Sequence, residues 1–550
     1  MLVAGVDSST QSTKVLLCEA TDGTVVAQAS APHPDGTECD PERWWQALDA
    51  AGRDLLERAS AVGVAAQQHG MIVLDESGAV IRPAMLWNDV KSAPQAAELI
   101  KELGGAAAWA ARCGSVPTMS FTVTKLRWLA ENEPEHAART RRVLLPHDWL
   151  TWRLAGGPAS GVHPATDRGD ASGTGYFSPA DSAWQPDILQ RALGHDAEPP
   201  RLAGPSEVVG QTSWGALLSA GTGDNMGAAL GLGLGAGDVA VSVGTSGTAY
   251  LPSPKPSADP SGAVCGFADA TGQFLPLVCT VNAARVLDVT ARMLGTDAAG
   301  LADRALAAAP GAGGLVLLPY LDGERTPNRP AANGVLRGLT THNATQENLA
   351  RAAVEAVLCS LADAIDHVTL VTGVAPRRVV LIGGAVRSAA IRTLAPAIFG
   401  VPVAVPVPAE DVALGAARQA AWALAGTASP PEWPARPAAA YEADPLPHVR
   451  EQYASLRDDA AAWQCLCGSS DSNCAGAAPR WRRCLGAEAG ACGLAVLGCR
   501  AVGLAILDNI SIISTSLMHR QTTRITIVCL TAGNWLLTPL RRRVYGALIR

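Results

Sequence analysis

The sequence predicts an α/β protein with two domains of mixed sheets flanked by helices. Three strand-like segments follow one another at the start of the chain, and helical and strand-like segments alternate after them. That order is typical of mixed sheets covered by helices. The chain has 550 residues, which exceeds the length at which a single hydrophobic core stops growing. We therefore expect two domains.

The first three strands are joined by short turns. Apolar and β-branched residues predict consecutive strands at residues 3–6, 13–18 and 25–30. The pair Asp22 and Gly23 predicts a tight hairpin turn between the second and third strands. A doubly wound nucleotide-binding fold passes from its first strand into a helix, so this beginning excludes that fold.

Helices and strands then alternate through both halves of the chain. Apolar residues at helical spacing predict helices at residues 41–59, 93–103, 348–372 and 449–462. Short runs rich in β-branched residues predict further strands at residues 62–66, 239–243, 315–318 and 379–382.

The composition separates the last part of the chain from the rest. From about residue 464 the sequence has ten arginines, three acidic residues and no lysine, a charge of +7 in a chain whose total is −7. This part also holds seven of the 13 cysteines, without the paired spacing of a zinc site. Its longest apolar run is too short to span a membrane. We therefore expect residues 464–550 to lie outside the functional fold.

The first 463 residues have the composition of an acidic intracellular protein. The net negative charge argues against nucleic-acid binding. The chain enters a strand pattern at once, without the basic segment of a signal peptide, so we expect a cytoplasmic protein that is not attached to a membrane. Six widely spaced cysteines in this part predict free, mostly buried thiols.

The strongest candidate for a chemical group is Asp224, followed by Asn225 in a glycine-rich run at residues 220–228. Glycines allow close approach of a ligand to the backbone, so we interpret this run as a turn against which a small molecule can bind. A carboxylate at such a turn can accept a proton from a bound hydroxyl. An ordinary solvated turn aspartate is the alternative that this run alone leaves open.

A second loop, at residues 7–14, has the character of a phosphate-binding turn. The hydroxyls of Ser12 and Thr13, with free backbone N–H groups, suit phosphate oxygens, and Asp7 at the strand end suits Mg²⁺. Taken alone, the loop is equally typical of an ordinary polar hairpin. The chain contains no Walker A motif, which excludes a P-loop.

Two later loops repeat the pattern of a strand followed by small residues. They lie at residues 239–248 and 379–388. The first suggests a duplicated domain that grips the same phosphate chain from the other side. In the second, Gly383 and Gly384 would allow an adenine ring to lie against the backbone.

A polar and aromatic group completes the candidate site. Gln68 and His69 follow a predicted strand, and Trp87 and Asn88 lie shortly after them. Such side chains can stack on and hydrogen-bond a small polyol. A structural role for His69 is equally consistent with this pattern.

With these residues the chain resembles the FGGY carbohydrate kinases, and among them the xylulokinases. The two family signatures are found at residues 120–132 and at residues 334–355. Xylulokinase-like segments lie at residues 68–70, 86–89, 144–150, 170–174 and 320–327. The resemblance covers residues 1–463.

The resemblance implies an actin-like fold of two ribonuclease-H-like domains with a cleft between them. Residues 1–237 would form the sugar-binding domain and residues 238–463 the ATP-binding domain, and residues 464–550 would not belong to either. The implied reaction is phosphorylation of D-xylulose by ATP and Mg²⁺ to D-xylulose 5-phosphate. A kinase for another polyol, such as ribulose, gluconate or glycerol, and an actin- or chaperone-type ATPase remain alternatives. Whether the chain forms a homodimer stays open.

The resemblance also assigns roles to individual residues. Asp224 would be the base that takes the proton of the sugar hydroxyl. The expected sugar contacts are Gln68, His69, Trp87, Asn88 and Asn225. The expected phosphate and nucleotide contacts are Asp7, Ser12, Thr13, Gly244, Thr245, Gly384 and Ser388. Many relatives have methionine where this chain has Gln68, so the contact of that side chain departs from the family pattern.

Overall fold

The computed structural model describes residues 1–467, with side chains up to residue 459. Residues Met1–Gln464 form one compact unit. The sequence-based expectations for the segment from residue 464 onward therefore lie almost entirely outside the described residues. Within the described part, no helix has the length and apolarity needed to cross a membrane.

The first half of the chain is built on a seven-stranded sheet. Its strands and small ladders are β1 (Leu2–Ser8), β2 (Ser12–Glu19), β3 (Val25–Pro32), β4 (Glu38–Cys39), β5 (Ala61–Ala66), β6 (Ile72–Leu74), β7 (Ala84–Met85), β8 (Arg142–Leu144), β9 (Ala165–Thr166), β10 (Phe177–Ser178), β11 (Ala183–Trp184), β12 (Arg201–Leu202), β13 (Val208–Gln211), β14 (Leu217–Ser219) and β15 (Thr222–Gly223). The helices are α1 (Pro41–Leu56), α2 (Ala93–Glu102), α3 (Ala106–Cys113), α4 (Thr122–Asn132), α5 (Pro134–Arg139), α6 (Pro146–Leu154), α7 (Arg168–Ala171), α8 (Pro186–Leu193) and α9 (Asp224–Leu232).

The second half contains a second seven-stranded sheet. Its strands and one small ladder are β16 (Asp238–Val243), β17 (Gly247–Tyr250), β18 (Cys265–Ala268), β19 (Phe274–Thr280), β20 (Val316–Leu318), β21 (Val335–Arg337), β22 (Arg378–Ile382), β23 (Val403–Pro406) and β24 (Ala438–Tyr441). The helices are α10 (Ala284–Met293), α11 (Ala298–Ala307), α12 (Gln346–Thr372), α13 (Ala389–Phe399), α14 (Asp411–Ala425) and α15 (Pro447–Cys467). Short 3₁₀ turns lie at Gly157–Ser160, Ala312–Gly314 and Gly384–Arg387.

The two large sheets share the order of five strands, which is β3-β2-β1-β5-β14 in the first and β19-β17-β16-β22-β23 in the second. The first has the order β13-β14-β5-β1-β2-β3, with β15 also paired to β5, and the second has the order β18-β19-β17-β16-β22-β23-β24. In each, the opening strand pairs antiparallel with the next strand along the chain and parallel with a strand that follows a helix. This repetition gives both halves the same edge, at the carboxyl ends of the parallel strands, on which ligand loops can lie.

The structure contains the predicted strands and helices, and their first and last residues differ from the predicted ones by a few positions. The first helix stops at Leu56 rather than at residue 59, because the N–H groups of Arg58 and Ala59 turn back to the carbonyls of Leu55 and Leu56. The helix of the second signature begins at Gln346, where the Thr345 side chain caps the N–H of Asn348. Capping side chains of this kind satisfy backbone donors that have no partner inside the helix.

The two halves are joined by close packing of backbone on backbone. Helix α14 of the second half packs on β1, β5 and α9 of the first half. Glycines make this approach feasible: a Cβ built on Gly5 would lie 1.9 Å from the carbonyl oxygen of Ala413, and one on Gly415 would lie 1.8 Å from that of Gly227. No side chain fits at such distances, so glycine at these positions determines how near the helix lies to the sheet.

The cysteines have the state that the sequence predicts. The six cysteines of residues 1–459 are free, and all are buried except Cys279, which is partly exposed. Burial raises the pKa of the Cys18 and Cys113 thiols to about 12. These thiols therefore stay protonated at neutral pH and behave as small apolar side chains.

Candidate active site

The candidate site lies where three strands of the first sheet end side by side. Strands β1 and β15 both run parallel to β5, with Asp7 and Thr222 each paired with Ala65. Because parallel strands end at the same edge, Asp7, Gln68 and Asp224 all emerge there. The sequence separates these three residues widely, and the sheet brings them together.

Asp224 is the first residue of helix α9, not a residue of a glycine-rich turn. The interpretation of residues 220–228 as a turn is therefore wrong in its second half, because the small and apolar residues after Asp224 continue as a helix to Leu232. Its Oδ1 accepts hydrogen bonds from the backbone N–H of Asn225 at 2.8 Å and from its Nδ2 at 2.9 Å. Both bonds orient one oxygen and leave Oδ2 for another partner.

The surroundings of Asp224 weaken its acidity. The side chain keeps some exposed surface, but it is closely surrounded by protein. Burial and the negative charges of Asp7 and Asp170 raise the pKa of Asp224 to about 7. A carboxylate with a pKa near neutrality is a stronger proton acceptor than an ordinary aspartate and still carries its charge in much of the population.

Gln68 and Asn225 are joined to each other beside Asp224. The Nδ2 of Asn225 donates to the Oε1 of Gln68 at 3.2 Å, and Gln68 is buried. Gly223 leaves room for this side chain, since a Cβ there would lie 2.8 Å from Cγ of Gln68. The amide of Gln68 thus contacts the amide that flanks the candidate base.

His69 is held in a fixed orientation next to Gln68. Its Nδ1 lies 2.6 Å from the carbonyl oxygen of Gly173, and its ring packs on Phe121 with centroids 4.7 Å apart. Burial and the Lys125 ammonium lower the pKa of His69 to about 3, so the ring is neutral at physiological pH. Since a carbonyl can only accept, Nδ1 carries the proton and Nε2 is left as a hydrogen-bond acceptor.

Trp87 contacts the turn that follows β1, and Asn88 contacts the loop before β4. The Trp87 side chain is exposed in part, and its Nε1 donates to the hydroxyl of Thr10 at 2.8 Å. The Nδ2 of Asn88 donates to the carbonyl of Gly36 at 3.3 Å. The structure therefore connects the predicted sugar segment directly to the predicted phosphate turn.

Asp7 is buried at the base of the phosphate turn. Burial raises the pKa of Asp7 to about 6, while the hydroxyl of Ser9 and the charge of Lys14 lower it. Lys14 forms an ion pair with Glu410 at 2.5 Å, which spans from the first half of the chain to the second. Carboxylate and hydroxyl oxygens are the ligand type that Mg²⁺ prefers, so the donor set fits that ion.

The two hydroxyl residues predicted for this turn differ in accessibility. Ser12 is partly exposed at the start of β2, and its carbonyl accepts from the N–H of Ser9 at 3.1 Å. Thr13 is fully buried, and its hydroxyl lies 2.8 Å from Nε2 of His33. Thr13 therefore stabilises the turn from inside. Of the two predicted residues, only Ser12 has a partly exposed side chain.

The loops of the second half also meet at one sheet edge. Gly244 and Thr245 follow β16, Gly383 and Gly384 follow β22, and these two strands are parallel neighbours. Gly383 has a φ of 95°, and a Cβ there would lie 2.7 Å from the backbone of Val243. The structure thus brings the two predicted nucleotide loops into contact.

The residues that the sequence predicts to bind the nucleotide base lie next to that contact. Thr245 is exposed, and a Cβ on Gly384 would meet open space. Ser388 caps helix α13 at its N-terminal end without a hydrogen bond from its side chain to the helix. Its hydroxyl is therefore left for another partner.

A buried acidic cluster beneath the site escaped the sequence analysis, which noted its segments only as family-like. His147 lies with Nδ1 2.5 Å from Oδ2 of Asp170 and Nε2 3.2 Å from Oδ1 of Asp148. Burial alone would lower the pKa of His147, but these carboxylates raise it to about 9. Three such residues could hold a metal ion. Both ring nitrogens already face carboxylates at hydrogen-bond or ion-pair distance, so we interpret the cluster as a charged network.

This network supports strand β15, which lies directly before Asp224. Asp167, next to the cluster, accepts from the hydroxyl of Thr222 at 2.8 Å. A Cβ on Gly221 would lie 2.5 Å from Cδ2 of His147, so the imidazole packs directly under the backbone there. In the sequence, this arrangement was indicated only by residues 144–150 and 170–174, where histidine or aspartate lies among apolar or small residues.

Comparison with protein-family models agrees with the geometry of the candidate site and with the repeated sheet topology. The models of the FGGY family of carbohydrate kinases match this chain, the N-terminal domain at residues 2–236 and the C-terminal domain at residues 239–424. The chain belongs to the FGGY family of carbohydrate kinases. The family resemblance predicted from the sequence is confirmed.

Several curated relatives have high identity over most of their length. The xylulose kinase of Streptomyces coelicolor is 48% identical over 440 residues, which cover 77% of this chain and 88% of the relative. That of Streptomyces rubiginosus is 47% identical over 440 residues, with the same coverage. That of Escherichia coli is 36% identical over 408 residues, covering 70% and 82%.

Solved structures agree with the fold. The crystal structure of xylulose kinase from Bifidobacterium adolescentis has a TM-score of 0.79 and 44% identity, covering 83% of this chain and 99% of that one. The gluconate kinase of Lactobacillus acidophilus, at 23% identity and a TM-score of 0.74, shares the fold. The predicted two-domain, actin-like fold is therefore confirmed.

Proposed function

We propose that this kinase transfers the γ-phosphoryl group of ATP to a terminal hydroxyl of D-xylulose. The observation that carries the proposal is the convergence of Asp224, Asp7 and His69 at one sheet edge, in a chain 47–48% identical to two xylulose kinases. A proton acceptor, a phosphate turn and a polar pocket wall within one site fit a sugar kinase. An actin- or chaperone-type ATPase requires no acid next to a sugar site.

In the proposed reaction Asp224 acts as the general base. Its free Oδ2 accepts the proton as the hydroxyl oxygen attacks the γ-phosphorus, a new O–P bond forms, and the bond from phosphorus to the β-phosphate oxygen breaks. The products are the sugar phosphate, ADP and a protonated Asp224. Positioning and charge neutralisation supply most of the catalysis in such transfers.

The sugar would be recognised by the residues around Asp224. The neutral His69 presents Nε2 as an acceptor for a sugar hydroxyl, and the joined amides of Gln68 and Asn225 offer both donors and acceptors. Trp87, exposed in part and tied to Thr10, is suited to contact the carbon chain of the sugar where it nears the phosphate turn, and Asn88 flanks it.

ATP would lie between the two sheet edges. We assign the phosphates to the Asp7–Ser12 turn and to the loop with Gly244 and Thr245, and the adenosine to Gly384 and Ser388. Thr13 supports that turn from inside. Asp7 would hold Mg²⁺, which when bound neutralises charge on the β- and γ-phosphates.

The proposal also includes the domain division and the location that the sequence predicts. We retain residues 1–237 as the sugar domain and residues 238–463 as the nucleotide domain, with a cytoplasmic location.

A panel of polyols tests the proposed substrate. ADP release is measured by a coupled assay with D-xylulose, D-ribulose, gluconate and glycerol, each with MgATP. We expect turnover to depend on a polyol and D-xylulose to have the highest kcat/KM. A higher kcat/KM for another polyol would replace the substrate, and ATP turnover indifferent to every polyol would overturn the kinase proposal in favour of an ATPase.

A further inference from the structure

We propose that Lys125 is a positioning residue that holds the backbone of His69 in place for sugar binding. The proposal rests on the function proposed above, since it concerns the sugar end of the same site. Lys125 lies in the first family signature, on helix α4, and has no place in the mechanism described so far.

The contacts of Lys125 are directed at the sugar segment. Its side chain is fully buried, and Nζ donates to the carbonyl oxygen of His69 at 2.9 Å and to that of Ser120 at 2.5 Å. The hydroxyl of Thr122, one turn earlier on the same helix, donates to the same His69 carbonyl at 3.2 Å. Helix α4 thus holds one peptide group of the site with two donors.

That peptide group needs to be held. His69 has a φ of 69°, in the left-handed region that residues other than glycine rarely adopt. Such a conformation persists only where the surroundings fix it from several sides. Here the ring is held by the carbonyl of Gly173 and by Phe121, and the backbone by Lys125 and Thr122. If the backbone donors are lost, the ring and its free Nε2 are expected to turn away from the sugar.

A cation at this position also connects the two sugar segments. Burial lowers the pKa of Lys125 to about 7, and the charge of Asp89, which is buried and follows Trp87 and Asn88 directly, raises it in part. Asp89 is in turn fixed by the hydroxyl of Thr37 at 3.0 Å and the N–H of Lys91 at 2.8 Å. An apolar side chain of equal length would fill the space but would take the Lys125 donor from the carbonyl of Ser120, leave the carbonyl of His69 with the Thr122 hydroxyl alone, and remove this electrostatic link.

The test compares substitutions on one helix. Lys125→Met removes both hydrogen bonds at nearly constant volume, and Thr122→Val removes the second donor to His69. Thr124→Val is the matched control, because Thr124 is equally buried on α4 but its hydroxyl lies 2.9 Å from the carbonyl oxygen of Phe121 and 2.9 Å from the hydroxyl of Ser92, and not at His69. The readouts are the Kd of D-xylulose by calorimetry without ATP, and KM for each substrate.

We expect a selective loss of sugar affinity. Lys125→Met should raise the Kd and KM of D-xylulose about tenfold or more, and Thr122→Val about two- to fivefold, in line with the loss of charged and neutral hydrogen bonds. KM for ATP should stay within about twofold, and Thr124→Val should leave all values near those of the unmodified kinase. If Lys125→Met does not fold, the threonine pair decides the question.

Failures of the two proposals can be told apart. Unchanged sugar affinity in Lys125→Met or Thr122→Val, an equal effect of Thr124→Val, or an equal rise of KM for ATP would overturn the role of Lys125 while leaving the kinase intact. Sugar binding without polyol-dependent ADP release in the unmodified chain would overturn the proposed reaction. A selective loss of that binding in Thr122→Val would then still support the positioning role.

Discussion

At the scale of single residues, the site depends on groups whose ordinary chemistry is changed by burial. Asp224 and Asp7 both have raised pKa values, of about 7 and about 6, because burial disfavours their charged forms. His69 is changed in the opposite direction and stays neutral. An acceptor with a raised pKa beside a neutral imidazole suits proton removal from an uncharged sugar.

The first prediction concerns the base itself. Asp224→Asn removes the proton acceptor but keeps the shape and the hydrogen bonds of one oxygen. We expect kcat to fall by about 10²–10⁴-fold and the Kd of D-xylulose to change little. Steady-state kinetics and calorimetry measure both. Asp297→Asn, a cap far along the chain on α11, serves as control, and a near-normal kcat in Asp224→Asn would refute the assigned role.

The second prediction concerns pH. Asp224 must be deprotonated to accept a proton, so kcat/KM for the sugar should rise with pH and level off above about 7, and fall about tenfold per unit well below it. Asp170 raises the pKa of Asp224, so Asp170→Asn should move this acid limb to lower pH. Asp148→Asn is the control, because Asp148 belongs to the same cluster but is not among the groups that shift Asp224. Equal movement of the limb in both variants would contradict the explanation.

At the scale of secondary-structure elements, helix α14 determines how the two halves meet. It approaches β1 and α9 so closely that the contact is made by backbone atoms and glycines. Gln419 on this helix also donates to the carbonyl of Gly221 at 3.0 Å, three residues before Asp224. The helix of one half thus supports the segment that leads into Asp224 in the other half.

The third prediction tests this packing. Gly415→Ala introduces a methyl group 1.8 Å from the carbonyl oxygen of Gly227, so either α14 or α9 must shift. We expect a loss of about 1–3 kcal/mol in the free energy of unfolding, as for other overpacked cores, and a lower Tm. Gly204→Ala is the control, since its nearest neighbour would lie 3.8 Å from the new methyl. Equal thermal stability of the two variants would show that the helix yields without cost.

At the scale of the whole molecule, helix α15 packs the end of the described compact unit on the second half of the chain. Val449, Tyr453 and Leu456 are buried in the core of the second half, and Arg457 pairs with Asp363 at 2.6 Å. The compact unit extends to Gln464, so a chain cut after Cys467 keeps all of it.

The fourth prediction follows from that boundary. A chain that ends at residue 467 keeps the buried face of α15, so we expect its Tm to stay within a few degrees and its kcat within about twofold of the full chain. A chain that ends at residue 446 loses three buried side chains and should be destabilised by several kcal/mol. Thermal unfolding and the coupled assay compare the three forms. Loss of folding in the 467-residue form would show that later residues stabilise the body.

The sequence by itself determined the order of strands and helices, the family and the main candidate residues. Strand and helix periodicity is a local property, and the signatures near Lys125 and Asn348 are contiguous, so both can be read along the chain. The error at Asp224 was also local: small residues after a glycine-rich run are typical of turns, but here they pack as a helix against α14.

Only the tertiary structure decided which distant residues act on one another. The pairing of Asp7 and of Thr222, two residues before Asp224, with the same strand, the network of His147 and the contact of Lys125 with His69 join residues that lie 23 to more than 200 positions apart. Such contacts arise from the way the sheets and helices pack, and no local pattern encodes them. The same holds for the pKa of Asp224, because burial and neighbouring charges exist only once the chain is folded.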